Sequence, residues 1–168
     1  MKNLRWYLVV SCLIGCGTGA FLPADYPIPP GFETARYHVR PLLAADAVKD
    51  YEAVMESVDI IHAALLSGRW PADTFTLEQN RRDLAVKERR AAQRRSFTYT
   101  IVTPDEERVL GCIYINKGIG GPDAAVFLWI RRSAQEDGFD AEVEASVRTW
   151  IEEKWPFRRV VYPGRQEP

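Results

Sequence analysis

The sequence predicts an α/β protein in which a mixed, mainly antiparallel sheet is flanked by helices. Short strand-like runs interleave with segments of helical periodicity, and the last helical segment lies between two strand-like runs, as in a crossover connection. The chain has 168 residues, of which 46% are hydrophobic and 27% are charged, so one domain with a substantial core is expected. Its formal charge of −1 gives no overall field that would attract nucleic acid.

The first half of the predicted domain contains one strand and two helices. Residues 37–40 alternate in polarity, and Pro41 stops the strand that they predict. A helix follows from about Asp46, because apolar residues recur there on one face that should point to the core. These residues are Tyr51, Val54, Met55 and Val58. Thr76 then begins a capping box, which predicts a second helix that ends near Gln93.

The second half contains four predicted strands and one helix. The strand-like runs are Phe97–Val102, Val109–Ile115, Ala124–Ile130 and Phe157–Tyr162. The first two are separated by a short polar connection of hairpin length, so they should pair antiparallel. The third is apolar without alternation, which is typical of a central strand covered on both faces. A helix from about Asp140 to Pro156 joins the last two strands.

The N-terminus has the composition of an export signal. Lys2 and Arg5 precede an apolar run of about ten residues, which is too short for a membrane-spanning helix. Residues 13–16 resemble the lipobox of bacterial lipoproteins, and this resemblance implies lipidation of Cys16. The alternative is a cytosolic protein whose start has this pattern by chance. We therefore expect a leader over residues 1–20, a proline-rich connector over 21–35 and the folded domain over 36–168.

Four segments carry a resemblance to a known family. They are Arg40–Leu42, Leu110–Ile113, Trp129–Asp140 and Trp155–Val160. In their order they resemble the GCN5-related N-acetyltransferases (GNAT), whose acyl-CoA motif is Gln or Arg, two residues, Gly, one residue, and Gly or Ala. The resemblance implies that acetyl-CoA is bound near Trp129, Ile130, Gln135 and Gly138. It also implies that two strands separate beside Trp129 to admit the pantetheine arm.

The sequence departs from that family in its acyl-CoA motif, in its candidate catalytic base and in its last strands. Asp140 stands at the second small position of the motif, and Glu136 and Asp137 add negative charge where a pyrophosphate would bind. As an alternative, Asp140 is simply the N-cap of the last helix. Asp123, at the start of the central strand, is the candidate catalytic base, although a turn residue after Pro122 is the alternative. The family's last strands are expected to be lacking.

Two functions remain open from the sequence. The first is a GNAT-like N-acetyltransferase that uses acetyl-CoA to modify a small-molecule amine in the cytoplasm. The second is a catalytically inert GNAT-like binding module, which a lipid could anchor to a membrane. Neither His38 nor His62 has the spacing of a metal ligand, so no metal is expected. Nucleic acid is not an expected partner, a membrane is one only through the lipid anchor, and an exposed final strand allows a homodimer.

Overall fold

The computed structural model describes residues 21–65 and 70–165. The strands are β1 (Phe32–Glu33), β2 (His38–Pro41), β3 (Phe97–Val102), β4 (Val109–Lys117), β5 (Ala124–Ile130) and β6 (Val160–Val161). The helices are α1 (Ala47–Glu56), α2 (Val58–Ala64), α3 (Leu77–Ala92) and α4 (Phe139–Lys154). The six strands form one sheet in chain order. Only the β5–β6 pair among these strands is parallel, so the predicted mixed, mainly antiparallel sheet is confirmed.

Helices cover both faces of the sheet. Helix α4 packs on one face, against Val126, Leu128 and Ile130 of β5. Helices α1, α2 and α3 pack on the other face, where Cys112 and Trp129 are completely buried. Strand β5 is therefore covered on both sides along most of its length, as its apolar sequence predicted.

The helix predicted from Asp46 onward is divided into α1 and α2. Ser57 lies at the break, with φ −129° and ψ 22°. Its buried hydroxyl accepts a hydrogen bond of 3.1 Å from the backbone N–H of Arg132, so the break positions a polar group against the segment that follows β5. Met55 was expected to face the core but is 38% exposed, whereas Val54 is buried as predicted. The buried face of α1 is formed by Ala47, Asp50, Ala53 and Val54, and Met55 lies outside this face.

The proline-rich segment, which was expected to be a connector, packs against the sheet. Leu22 is buried, and the ring of Phe21 stacks on Phe157 at a centroid distance of 5.0 Å. The Tyr99 hydroxyl donates to the carbonyl of Pro29 at 2.6 Å. The prolines prevent regular structure here, but the apolar side chains between them supply core contacts instead.

Asp140 is not the N-cap of α4, which was the alternative expected for it. Gly138 is the N-cap residue, with a left-handed φ of 73°, and Asp140 lies in the first turn of the helix. Its carboxylate binds the guanidinium of Arg165 and does not cap the helix. The final strand is also shorter than predicted, since β6 comprises only Val160 and Val161.

Candidate functional site

The pairing of β5 with β6 stops early, and the two strands then separate. Strand β6 pairs with Ala124 and Ala125 only. The chain then turns, and the N–H of Arg165 donates to the carbonyl of Tyr162 at 3.0 Å. Among the residues that the structure describes, no strand therefore lies beside the rest of β5, up to Ile130, on this side. We call this open edge the β5 gap.

Peptide groups of alternate β5 residues point into the β5 gap. The N–H of Arg131 donates to the carbonyl of Leu110 at 2.7 Å, which places the odd-numbered residues of this run in hydrogen-bonded pairs with β4. Leu128 and Ile130 consequently direct their N–H and C=O groups toward the gap. An extended molecule that contains amides can bind such an edge as an added strand does.

The segment that joins β5 to α4 contains the residues of the predicted acyl-CoA motif. Asp137 and Gly138 adopt left-handed conformations, with φ of 54° and 73°. A Cβ on Gly138 would meet no atom within 4 Å, so backbone conformation and not space favours glycine here. The first-turn N–H groups of α4 lie just beyond this turn and carry partial positive charge.

The predicted cofactor residues do not all face the β5 gap. The Gln135 amide donates to the Ile130 carbonyl at 3.0 Å, so these two residues are in contact. Gly138 lies in the same connecting segment. The Trp129 side chain lies on the opposite face of the sheet, where its Nε1–H donates to the Tyr114 hydroxyl at 3.2 Å. Trp129 therefore forms part of the strand that borders the gap, but its ring does not lie in the gap.

Asp123 anchors the closed end of the β5 gap. Its Oδ2 accepts the backbone N–H groups of Arg158 and Arg159 at 2.8 and 2.9 Å. These hydrogen bonds lower the pKa of Asp123, and a carboxylate with a lowered pKa is a weaker general base. The geometry therefore favours an anchoring role, and the assignment of Asp123 as catalytic base stays a prediction.

Arg165 occupies the β5 gap, and no sequence motif had indicated it. Its Nη2 donates to the Leu128 carbonyl at 3.2 Å and to Asp140 Oδ1 at 2.9 Å. Its Nη1 donates to Glu144 Oε2 at 3.1 Å and to the second oxygen of Asp140. The spacing of Asp140 and Glu144, one turn apart on α4, is the signal in the sequence that could have suggested a cation at this place.

A carboxylate at the end of α1 fixes the connecting segment after β5. Glu56 accepts the Arg131 Nε–H at 2.6 Å and the backbone N–H of Ser133 at 2.7 Å. Hydrogen bonds from Ser133, together with the guanidinium of Arg131, lower the pKa of Glu56 to about 2. The helix on one face of the sheet thus holds the segment that leads to α4 on the other face.

We expect Glu56→Gln to lower the free energy of unfolding at pH 7 by about 1 kcal/mol, since a charged acceptor is lost and solvent screens part of its contribution. The folded pKa lies below the ordinary value of 4.5, so this stabilisation is present above that value and is lost as the pH falls toward about 2. Urea unfolding of both proteins over this range measures the difference. A difference that does not change with pH would contradict the ionic origin of the effect. Asp59→Asn, which removes an exposed ion pair with Arg132, is the control and should change stability little.

On the other face of the sheet, a cavity of about 400 Å³ lies beside β5. Trp70, Tyr114 and Phe127 supply aromatic rings to its lining. The Lys87 ammonium lies 5.5 Å from the Trp70 ring centroid and 5.6 Å from that of Tyr114. Asp83 Oδ2 accepts the Trp70 Nε1–H at 3.3 Å. We call this space the aromatic cavity.

A buried carboxylate and a thiol lie beneath the same helices. Asp50 Oδ2 accepts from the Asn80 amide at 2.9 Å, and the Cys112 thiol donates to Asp50 Oδ1 at 3.4 Å. Burial raises the pKa of Asp50 and raises that of Cys112 well above its ordinary value. A thiol with a raised pKa is a poor nucleophile. Cys112 therefore serves packing in the core of the sheet.

In residues 21–65 and 70–165, no group of three or more His, Cys, Asp or Glu side chains is placed to hold a metal ion. Within the same ranges, every helix is too short or too polar to cross a membrane. Cys16 and the rest of the leader lie outside the described residues, so the lipidation of Cys16 stays a prediction.

The strand order, the β5 gap and the helices on both faces define the fold of the GCN5-related N-acetyltransferases, as the sequence resemblance implied. The ribosomal-protein-S5-alanine acetyltransferase of Vibrio fischeri is 18% identical, with a TM-score of 0.61 over 77% of this chain and 71% of that chain. A GNAT-family acetyltransferase described as putative, from Bordetella pertussis, is 13% identical, with a TM-score of 0.58 over 79% and 76%.

A third similar structure contains the coenzyme. It is the ribosomal L7/L12 α-N-protein acetyltransferase RimL in complex with coenzyme A, which forms a disulfide with a cysteine of that protein. It is 17% identical to this chain, with a TM-score of 0.61 over 79% of this chain and 71% of that chain. No family model and no curated protein matches the sequence. At these identities the similarity defines the fold.

Proposed function

We propose that the protein binds acetyl-CoA in the β5 gap and transfers the acetyl group to a primary amine held in the aromatic cavity. The early separation of β5 from β6 is the observation that carries this proposal, because it leaves the peptide groups of Leu128 and Ile130 at an open edge. The similar structures support it, since they are acetyltransferases and one of them holds coenzyme A.

The backbone of the β5 gap fits the pantetheine arm of acetyl-CoA. That arm contains two amides, and the N–H groups of Leu128 and Ile130 are placed to donate to amide carbonyls, while the carbonyls of these two residues accept from Arg165 and Gln135 in the structure. The N–H groups at the start of α4 suit a pyrophosphate. The exposed side chains of Glu136 and Asp137 oppose it, and Arg165 lies where the arm would pass. Binding therefore requires that the Arg165 side chain move.

The aromatic cavity would receive the acceptor on the far side of β5. Bound acetyl-CoA supplies a thioester, whose C–S bond breaks as the amine nitrogen forms the new C–N bond and a proton passes from nitrogen to sulfur. Phe127 lines the cavity and is adjacent in β5 to Leu128, which faces the gap, so the two spaces share one strand. Asp83 is the acidic residue in the described lining and is placed to accept the proton of the amine.

The charges of the cavity favour an amine that also carries an anionic group. Lys87 and Arg90 both line the cavity. In the described part of the chain, neither of them forms an ion pair with a carboxylate. An anionic acceptor group would therefore meet two cations beside aromatic rings, where charge is screened less than in open water.

We expect Lys87→Met to raise the KM for an acceptor with a carboxylate by about tenfold, because one charged hydrogen-bonding partner is lost. The methionine keeps an unbranched side chain against Trp70 and Tyr114. The KM for a neutral amine should stay nearly unchanged in the same variant. Arg81→Met, which removes an exposed cation of α3 paired with Glu78, is the matched control. Equal losses for both acceptors would contradict a role in recognising the anion.

Titration with acetyl-CoA tests the proposed function. Isothermal calorimetry should give saturable binding, and a concentration 100 times the Kd should add about 2.7 kcal/mol to the free energy of unfolding. Pantetheine, which lacks the phosphates, and adenosine 3′,5′-bisphosphate, which lacks the arm, separate the two halves of the site. Mass spectrometry of an amine panel then reports acetyl transfer. Absence of binding at millimolar acetyl-CoA would contradict the proposal.

A second candidate function is a binding module of GNAT fold without catalysis. The ion pair of Arg165 with Asp140 favours it, because an occupied gap beside an acidic turn discourages a polyanionic coenzyme. Ligand binding in the aromatic cavity without acetyl transfer would support this candidate. Catalysis would place the protein in the cytoplasm, with its acetyl donor. An inert module is compatible with lipidation at Cys16, which mass spectrometry of the mature protein would detect.

A further inference from the structure

We propose that Arg165 is a built-in competitor of the pantetheine arm, so that the β5 gap alternates between a closed state filled by Arg165 and an open state that binds the coenzyme. This inference rests on the proposed function, since it concerns the same gap. The structure shows the closed state, with Arg165 in the gap.

The contacts of Arg165 duplicate those that an extended ligand would make. The Leu128 carbonyl faces the gap near the middle of the unpaired part of β5, and Arg165 Nη2 donates to it at 3.2 Å. Only 15% of the Arg165 side chain is exposed, so the guanidinium lies inside the groove and not across its mouth. A pantetheine amide and Arg165 cannot both occupy this position. Binding of one therefore excludes the other.

Two carboxylates of α4 stabilise the closed state. Asp140 accepts from both terminal nitrogens of the guanidinium, and Glu144 Oε2 accepts from Nη1 at 3.1 Å. Bidentate pairing of this kind fixes the position of an arginine more firmly than a single contact does. Asp140 thus has a defined role at the motif position where the GNAT resemblance expected a small residue.

The turn that carries Arg165 can leave without disturbing the sheet. Ladder pairing with β5 ends at Val161, so the contacts that hold residues 162–165 come from side chains and from close packing. The Arg148 guanidinium lies 3.9 Å from the centroid of the Tyr162 ring. Gly164 has φ +81°, and a Cβ there would come within 3.2 Å of the Ala64 carbonyl at the end of α2. Opening breaks these contacts and leaves β6 paired.

The occupied gap reduces the apparent affinity for the coenzyme by the fraction of molecules that are open. If about one molecule in ten is open, removal of the competitor should tighten binding by about tenfold. Removal also leaves Asp140 without its cation, and this charge would repel the phosphates, whereas Glu144 keeps its ion pair with Arg148. Pantetheine carries no phosphate, so its affinity reports the opening of the gap alone.

The test measures pantetheine and acetyl-CoA binding by calorimetry for the full chain and three variants. Arg165→Ala removes the competitor. Asp140→Asn weakens the ion pair that holds Arg165, with almost no change of side-chain shape. Arg81→Ala is the control, because it removes the same charge at a different place, on α3. Circular dichroism and thermal unfolding establish that each variant folds. We expect the first two variants to bind pantetheine about tenfold more tightly than the unmodified chain, and the control to bind it equally.

The outcomes separate the inference from the proposed function. Tighter pantetheine binding in both variants supports the competitor. Equal pantetheine binding in all four proteins overturns the competitor but leaves acetyl-CoA binding in the gap intact. If no protein binds either ligand at millimolar concentration, the proposed function fails and the inference fails with it. Asp140→Asn decides the question alone if Arg165→Ala does not fold.

Discussion

Replacement of Gly111 by alanine should lower the free energy of unfolding by about 3 kcal/mol, because two paired strands leave no room for a Cβ at this position. Gly111 lies in β4 opposite Ile130. An added Cβ would come 2.1 Å from the carbonyl oxygen of Trp129 and 3.2 Å from the Cα of Ile130. These are backbone atoms inside the sheet, so relief requires that β4 and β5 move apart. Urea unfolding with a fitted slope measures the loss.

Gly120→Ala is the matched control for this substitution. Gly120 has φ +74°, and a Cβ there would meet no atom within 4 Å. Its replacement should cost about 1 kcal/mol, from the left-handed conformation alone. If the two variants lose equal stability, the close approach of Gly111 to β5 is not the reason for glycine. A larger loss for Gly111→Ala would show that the strand which lines the gap is positioned by contact with a glycine.

Local patterns predicted the elements whose stabilising contacts are themselves local. The capping box at Thr76 is present, with a hydrogen bond of 3.2 Å from the Gln79 N–H to the threonine hydroxyl. The hairpin of β3 and β4 is antiparallel, as its short polar connection required. Strand β5 is the covered strand that its unbroken apolar run predicted. For the capping box and the hairpin, the signal and the contact lie within a few residues of one another, whereas the composition of β5 alone indicated its burial by helices that are distant in the sequence.

Features fixed by contacts between distant residues were missed. At the break, the Ser57 hydroxyl accepts from the N–H of Arg132, a contact between distant residues that the helical pattern cannot include. Strand β1 forms because β2 offers an open edge, and the two-residue run Phe32–Glu33 carries no strand signal of its own. The proline-rich composition correctly excluded regular structure over most of that segment. It did not reveal that side chains there would join the core.

The same limit applies to the candidate site. Gln135 and Gly138 could be proposed from the sequence because they are near neighbours in one motif, and their role in binding a cofactor stays a prediction. Arg165 could not be proposed, because its contacts are with the Leu128 carbonyl and with two carboxylates of α4. The sequence placed Asp123 correctly at the start of β5, but it could not predict the hydrogen bonds that the Asp123 carboxylate accepts from the backbone N–H groups of Arg158 and Arg159.

Replacement of Trp129 by alanine should lower the free energy of unfolding by about 3–5 kcal/mol, since a completely buried indole leaves a large cavity. The ring packs among residues of α1 and α3 and donates to the Tyr114 hydroxyl. Trp129→Phe keeps most of the buried surface and loses that hydrogen bond, so it should cost about 1–2 kcal/mol, of which the unpaired Tyr114 hydroxyl is a part. Chemical denaturation of the two variants measures both losses.

The phenylalanine variant also decides whether Trp129 contacts the coenzyme, as the sequence resemblance implied. The ring lies on the face of the sheet opposite α4, whereas the β5 gap exposes the peptide groups of Leu128 and Ile130. Acetyl-CoA affinity in folded Trp129→Phe should therefore equal that of the unmodified chain. A loss of affinity of about tenfold or more, with stability nearly retained, would mean that the indole itself touches the ligand. The two measurements together separate a residue that supports β5 from one that binds in the gap.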